Sequence, residues 1–377
     1  MVWRFFKEIG FLSATTIGAG VFALPYVFHR AGWFVGLLFL VALSLIVIFA
    51  QRLYFRVIEK TGGATKFLGL IREKLGVKFF TIGFISIILG LLLSLTAYLL
   101  IAQNFVKLIF PELDSSLAIL IFWGLGTIPF LFRLGKLVLA ELFGAVVMFF
   151  IIFYIFGMSL GSGGDIFSIP AVSGADFFLP FGVVLFSLAG WTAIEPIIDS
   201  RKKSAKAYPR GFSLSVSLGT ILSAIFYILF VVAIFGLATG SGGVLTITED
   251  TLSGITGWSP LMLGVMGVLG LFALWTSYLP ISLEIKNSLE RDLGWSPFLV
   301  FSILAGVPIL TALFGIKDFV SVLGLAGGIF LAVQYVLIIL VSSKVLVLRR
   351  WEKFLASLVV LVFLLAAIYE IYYFVIR

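Results

Sequence analysis

Long apolar runs separated by short polar turns set the pattern of this chain. A run of about 20 apolar residues is long enough to cross a bilayer as a helix. Eleven such runs are found, at about 9–28, 32–55, 79–108, 116–132, 137–159, 177–198, 211–238, 258–283, 296–314, 319–342 and 354–375. The pattern predicts an all-α integral membrane protein with eleven transmembrane helices. Most of the runs are evenly apolar, but the first and the sixth are interrupted.

In the first run Gly18 and Gly20 lie mid-segment, and Pro25 follows. Each Gly costs about 1 kcal/mol relative to Ala in a helix, and Pro cannot donate the helical hydrogen bond. Thr15 and Thr16 stand just before, with hydroxyls able to bond backbone or ligand. Irregular backbone inside a membrane is tolerated only where protein buries it or it lines a wet cavity. The run therefore reads as a helix broken around Ile17 to Val21, with freed amides and carbonyls able to hold a small polar ligand. A Gly-kinked helix packed closely on a neighbour is the alternative.

In the sixth run Ser187, Gly190 and Thr192 interrupt the apolar residues, and Pro196 follows. Ala19-Gly20-Val21-Phe22-Ala23-Leu24-Pro25 and Ala189-Gly190-Trp191-Thr192-Ala193-Ile194-Glu195-Pro196 share Ala-Gly, a later Ala and Pro, with one inserted residue. The two runs cross the membrane in opposite directions. Paired Gly/Pro-interrupted segments at matching places in two halves point to a transporter site between inverted repeats. The expected plan is a five-plus-five inverted repeat with helices 1 and 6 broken. One transporter domain would fill residues 1–377, with repeat one at about 9–160, repeat two at about 177–343 and an extra helix at about 354–375.

Charge orients this plan. With the N-terminus inside, only Arg30, Lys107, Lys317 and Arg377 of the 26 lysines and arginines fall outside. That bias follows the positive-inside rule and supports a cytoplasmic N-terminus, an outer C-terminus and the cell membrane as the location. It also accounts for the net charge of +8 without a nucleic-acid partner. The chain is 62% hydrophobic and only 12% charged, against about 25% charged in soluble domains. The N-terminus has no small-residue cleavage site, so no removable signal peptide is expected. Outer loops at 111–116, 161–176 and 240–257 read as ordinary solvated loops. Phe67 to Leu75, in the inner loop 56–78, is amphipathic and is expected to lie along the inner surface.

Ionisable residues inside a membrane are functional candidates by default. Glu195, a turn past the Gly190 break, is a candidate gate or proton relay, or else the partner of Arg201 or Lys202. Glu141, near Arg133 and Lys136, is a second proton-route candidate or an interfacial ion pair. Glu370 reads as the outer edge of the last helix. Ser94, Tyr98 and Gln334 sit mid-membrane, facing either a cavity or neighbouring helices. Thr276 and Ser277 place adjacent hydroxyls at mid-depth, suited to a hard cation or to helix-internal bonding. Cysteine is absent and His29 is the single histidine, so thiolate and histidine metal sites and a cysteine nucleophile are not expected.

Thr-Ile-Gly-Ala-Gly-Val-Phe-Ala-Leu-Pro-Tyr at 16–26, followed by Ala-Gly-Trp at 31–33, resembles the first helix of the amino acid/auxin permeases and the bacterial aromatic amino acid permeases. Both belong to the amino acid–polyamine–organocation superfamily, with the LeuT-type fold. The match at Ser187 to Trp191 is looser. The resemblance implies that a substrate carboxylate binds the amides of Gly18, Ala19 and Gly20. It implies that the α-ammonium binds carbonyls of Thr16, Phe186 and Ala189, as half-helix dipoles favour. It also implies a sodium site formed by the Ala14, Ile17 and Ala273 carbonyls and the Thr276 and Ser277 hydroxyls. Ser187, Gly190, Trp191, Ser94 and Tyr98 complete the expected substrate site. The bacterial aromatic permeases are a proton-driven precedent.

The function expected is secondary transport of a neutral, aromatic or hydrophobic amino acid, coupled to Na⁺ or, alternatively, to H⁺. A membrane enzyme needs a nucleophile–base pair or a metal cluster, and none is visible. A substrate sensor on a transporter scaffold would be marked by a long soluble tail. A channel would be marked by a filter motif, and none appears.

Overall fold

The computed structural model describes residues 2–62, 66–127, 137–174, 176–202, 213–240, 246–251, 254, 258–315 and 318–376. The first apolar run is split, as its glycines require, into α1 (Val2–Thr16) and α2 (Leu24–Ala31), with a 3₁₀ turn over Ala19–Ala23 between them. The two halves are bent by 56°. Pro25 sits in the first turn of α2, where its missing N–H costs nothing.

The chain continues through α3 (Trp33–Thr61), α4 (Phe67–Leu75), α5 (Val77–Ile109), α6 (Ser115–Thr127) and α7 (Leu137–Gly161). The sixth run is split into α8 (Pro180–Ser187) and α9 (Ile194–Lys202), with a 3₁₀ turn over Trp191–Ala193. Then come α10 (Leu214–Thr239), α11 (Pro260–Asn287) and α12 (Pro297–Phe314). The tenth run is α13 (Phe319–Gly324) and α14 (Ala332–Val345), joined by a π-helical turn over Leu325–Leu331, and α15 (Arg350–Ile376) is last.

Helix occupies each of the eleven predicted runs. Eight helices among the described residues are long and apolar enough to cross a membrane, or up to nine if the bent pair α1–α2 is one span. α6 and the Val146–Gly161 part of α7 are apolar but shorter. The remainder of the run predicted for α6, 128–132, lies outside the described residues.

Burial separates interior helices from peripheral ones. The apolar stretches of α5, α8–α9 and α13–α14 are 78%, 83% and 78% buried, against 33% in α12 and 28% in α15. α5 is the central post, packed by α4, α6, α11, α12 and the π-helical turn, while α1 packs on α7 and α10. Small residues permit the closest approaches, as in other membrane bundles. A Cβ added at Gly327 would stand 1.9 Å from the Gly182 carbonyl oxygen, so α8 and the π-helical turn meet backbone to backbone.

α4 forms where the amphipathic stretch predicts a helix. Its apolar residues Phe67, Leu68, Leu70 and Ile71 are buried, and it packs on α5 and α14. Its apolar face is thus covered by protein. The turn into α5 runs through Gly76 at φ +88°, a conformation that favours glycine.

Candidate functional site

The two helix breaks lie side by side. A Cβ at Gly20 would be 2.4 Å from Ser187 Oγ and 3.0 Å from Ser187 Cα. Reciprocally, a Cβ at Gly190 would be 2.4 Å from Thr16 Oγ1. Each break therefore has a glycine where the other comes closest, which is the packing reason for both. A Cβ at Gly18 would overlap the Tyr98 hydroxyl at 1.7 Å, so Tyr98 of α5 stands directly against the first break.

α1 ends at Thr16 and α8 ends at Ser187, so their last carbonyls have no helical partners. Tyr227 of α10 supplies one. Its hydroxyl lies 2.8 Å from Thr16 O and 2.5 Å from Ser187 O, and its single proton is shared between them. The phenol is thus a donor to both breaks. Opposite, the amides of Gly18, Ala19 and Gly20 begin the second half-helix, with no carbonyl a turn behind them in helical register.

A small cavity opens at the breaks. Its lining brings together Thr16, Gly18, Gly20, Ser94, Tyr98, Phe186, Ser187, Ala189 and Trp191 from the expected substrate set. Ala19 and Gly190 are outside the lining. Ala19 is buried behind it, and Gly190 packs on Thr16. Thr15, Gly90, Leu91, Thr192, Ile281, Leu331 and Gln334 complete the wall. No ionised side chain is in this lining among the described residues.

Beneath the cavity the structure is tightly tied. Trp191 donates from Nε1 to Gln334 Oε1 at 2.9 Å, and Gln334 Nε2 donates to Ser86 O at 2.9 Å. Trp191 also contacts the rings of Tyr54 and Phe67, at centroid distances of 6.1 and 5.1 Å. Below these rings Glu195 is buried. Its carboxylate accepts from Tyr54 Oη at 2.6 Å and Phe67 N at 3.1 Å, and pairs with Lys66 Nζ at 2.7 Å. Lys66 also reaches Asp199 at 3.3 Å. Burial pulls Lys66 down, but the facing Glu195 and Asp199 carboxylates outweigh it and hold the ammonium above its usual value. The cation that faces Glu195 is thus Lys66 in place of Arg201, and the Lys202 side chain lies outside the described residues. Arg201 instead grips Glu8 in a bidentate pair at 2.8 and 2.5 Å, over the Phe55 ring.

Above the first break, Thr251 is buried and donates to Phe22 O at 2.5 Å. It adopts φ +62° to do so, rare for a β-branched residue. The loop holding it is therefore not simply solvated. At the same end of the bundle Arg30 pairs with Asp176 at 2.6 Å. Glu370, near the C-terminal end of α15, is buried.

In α11 the Thr276 and Ser277 hydroxyls donate to Ala273 O at 2.8 and 3.4 Å. Each keeps lone pairs for another ligand. Ala14 and Ile17 are buried on α1 and at its end, and α1 touches α11. Gly144 of α7 stands against this pair, since a Cβ there would be 1.8 Å from Thr276 Oγ1. The side chain of Glu141 lies outside the described residues.

Sequence reasoning missed Tyr227, Lys66 and Thr251. Tyr227 sits in an apolar run whose pattern marks one more buried aromatic. Lys66 follows a loop segment and reads as one of many inner cations. The signal that existed was Glu195 itself, a carboxylate at membrane depth that required a cation.

Comparison with known proteins gives the family and the fold. The chain matches the family described as transmembrane amino acid transporter protein over residues 4–376. It is 23% identical over 361 residues to glutamine transporter 2 of Aliivibrio fischeri, covering 91% of this chain and 90% of that protein. Its fold is similar to that of MhsT in complex with L-phenylalanine, with a TM-score of 0.68 at 15% identity, covering 96% of this chain and 98% of that one. The chain therefore belongs to the transmembrane amino acid transporter family: it is an all-helical, multi-pass membrane transporter of amino acids with a LeuT-type fold, not an enzyme.

Proposed function

We propose that this protein is a secondary active transporter of a neutral amino acid, working by alternating access in the cell membrane and coupled to Na⁺. The observation that carries this reading is the meeting of two helix breaks at one cavity with no ionised lining side chain among the described residues. A buried charge needs a partner. Here a zwitterion finds helix ends of both signs, while a charged side chain finds none. The carboxylate goes to the amides of Gly18, Ala19 and Gly20, beside the Tyr98 hydroxyl. The ammonium goes to carbonyls of Thr16, Phe186 and Ala189.

The side chain then lies between Leu91, Ser94, Ile281, Leu331 and Gln334. Those walls are apolar with a few hydrogen-bonding groups, which suits an aromatic or hydrophobic amino acid and also glutamine. The relatives' names mention glutamine and L-phenylalanine, both neutral. In this reading the eleven helices form a five-plus-five inverted repeat, the N-terminus is cytoplasmic and the C-terminus outside. Glu195, Lys66, Tyr54 and Trp191 form the inner gate.

Na⁺ is favoured because Ala14, Ile17, Ala273, Thr276 and Ser277 offer five neutral oxygens, a set suited to a monovalent cation at membrane depth. Gly144, facing Thr276, leaves no side-chain cation in that place. H⁺ is the second reading, with Glu195 and Glu141 as its candidate carriers. The test is uptake of labelled glutamine, phenylalanine and leucine into proteoliposomes, with imposed Na⁺ or pH gradients. Uptake driven by Na⁺ and lost in Thr276→Val/Ser277→Ala supports the reading. Uptake indifferent to Na⁺ but following a pH gradient removes the sodium assignment. No uptake of any amino acid removes the whole.

A further inference from the structure

Glu370 is a buried carboxyl that the transport reading above does not use. It is carried by α15, the most exposed of the spanning helices, yet it points inward and is only 5% exposed. Its carboxyl lies against the Gly182 backbone, in the first turn of α8. Glycines make the room. A Cβ at Gly182 would stand 3.0 Å from Glu370 Oε1, and one at Gly328 would stand 2.5 Å from its Cγ and 2.7 Å from Oε1. Gly328 belongs to the π-helical turn, a feature frequent at functional sites.

The carboxyl also lines a second cavity, with an empty volume of about 670 Å³, at the end of the bundle assigned outside by charge. Its titratable lining groups besides Glu370 are Tyr26, Arg30, Asp176, Glu249, Asp318 and Tyr369. Among the described residues the one cation there, Arg30, is half-exposed and bonded to Asp176. Around Glu370 the packed elements bring no cation either, since the one that α3 brings to α15, Arg56, pairs with Glu352 at the other end of that helix. α8 and the π-helical turn have no titratable side chain, and α14 has Tyr335 and, at its far end, Lys344. A carboxylate at membrane depth without a cation is costly, and taking up a proton removes the cost.

We propose that Glu370 is a proton-binding site, housed between glycines of α8 and the π-helical turn and exchanging its proton through the outer cavity, that makes transport depend on outside pH. With the proton bound, the neutral carboxyl fits the glycine-lined space. With the proton lost, the charge is drawn toward the α8 amides and the water of the cavity. α8 ends at Ser187, in the substrate cavity, so occupancy at one end of this short helix biases the other. The link to transport rests on the transporter reading, whereas proton binding does not.

The experiment is infrared spectroscopy of the purified protein in lipid nanodiscs, titrating the C=O stretch of protonated carboxyls, paired with uptake of labelled glutamine or phenylalanine against outside pH. In the wild type a protonated-carboxyl band is expected to titrate, and uptake to fall by about ten-fold per pH unit above its midpoint, as the protonated fraction does. In Glu370→Gln the band is lost and the pH profile is flat. Glu370→Asp, which keeps the carboxyl but draws it back from Gly182, retains the band with a shifted midpoint. Identical bands in wild type and Glu370→Gln, an unshifted midpoint in Glu370→Asp, or the wild-type pH profile in Glu370→Gln overturns the proposal. If the protein moves no amino acid at all, the infrared titration still decides the proton site, so the two readings fail separately.

Discussion

Removing one oxygen atom from Tyr227 tests how the two breaks are held together. Tyr227→Phe keeps the ring, which is fully buried, and deletes only the hydroxyl that spans Thr16 O and Ser187 O. With substrate absent, the change loses one net hydrogen bond, about 1 kcal/mol, and leaves a buried helix-end carbonyl unmet, about 1 kcal/mol more. The ligand-free protein is expected to lose about 2 kcal/mol. With substrate bound, the ammonium meets Thr16 O and part of that loss is recovered. A recovery of about 1 kcal/mol tightens Kd roughly five-fold. The assay is a thermal melt of the purified protein with and without amino acid, together with equilibrium binding of labelled substrate. The expected outcome pairs a lower melting temperature without ligand with a tighter Kd and a larger ligand-induced rise. An unchanged melting temperature, or a weakened Kd, refutes the reasoning, because either means the hydroxyl does not compete with the ammonium.

Three further outcomes are expected. Gly20→Val drives a β-branched side chain into Ser187 and Phe186 and should lower uptake by about five-fold or more, given an overpacking cost of roughly 1–3 kcal/mol; wild-type uptake by a monodisperse protein would reduce the break to a packing device. Glu195→Gln removes the charge that Lys66 faces and should loosen the inner end. Because the chain has no native cysteine, a Thr192→Cys reporter reads this directly, as a several-fold faster thiol labelling rate in the double variant, and an unchanged rate contradicts it. Glu249, in the loop between α10 and α11, is raised to about 7, first by its hydrogen bond with Asp318 and then by burial and the Asp318 charge. An acid raised in the folded state stabilises below its unfolded value near 4.5 and loses that contribution as pH rises through about 7. The melting temperature should therefore fall between pH 5 and pH 8, and Glu249→Gln should flatten that part of the curve; an equal slope in both proteins rejects the link.

The broken helices were legible because glycine and proline act on the backbone directly, through φ freedom and a missing donor. Gly18, Gly20, Pro25, Gly190 and Pro196 mark both interruptions without knowledge of any neighbour. Much of the cavity wall follows from them, since Thr16, Gly18, Gly20, Phe186, Ser187, Ala189 and Trp191, all at or beside the breaks, line it. Ser94, Tyr98 and Gln334 stood out as polar residues in apolar surroundings, and all three face the cavity. What could not be read depends on pairing across long stretches of chain. Lys66 meets Glu195 from 129 positions away in sequence, and many inner cations were equally eligible. Tyr227 and Glu370 needed the packing of α10 on α1 and of α15 on the π-helical turn. The π-helical turn itself, over Leu325–Leu331, has no composition that separates it from an ordinary apolar helix. Thr251 was hidden for the opposite reason. Its loop is polar, and polarity alone does not reveal that one residue of it is pulled down onto Phe22.

One carboxylate under Trp191 receives three donors from different places: the Tyr54 phenol on α3, the Phe67 amide at the start of α4, and the Lys66 ammonium just before it. Such a hub does not yield by degrees. While Glu195 stays put, any one donor that lets go is held close by the other two and re-forms faster than α4 can leave. Once α9 carries the carboxylate away, all three contacts fail together. In the proposed transport cycle the joint between α4 and α9 would act as a snap fastener, either closed or open with little in between. The rate of crossing is set by the one event that frees Glu195, not by a sum of separate loosenings. Mutations at Tyr54 and Lys66 should accordingly be strongly non-additive, each removing much of what their combination removes.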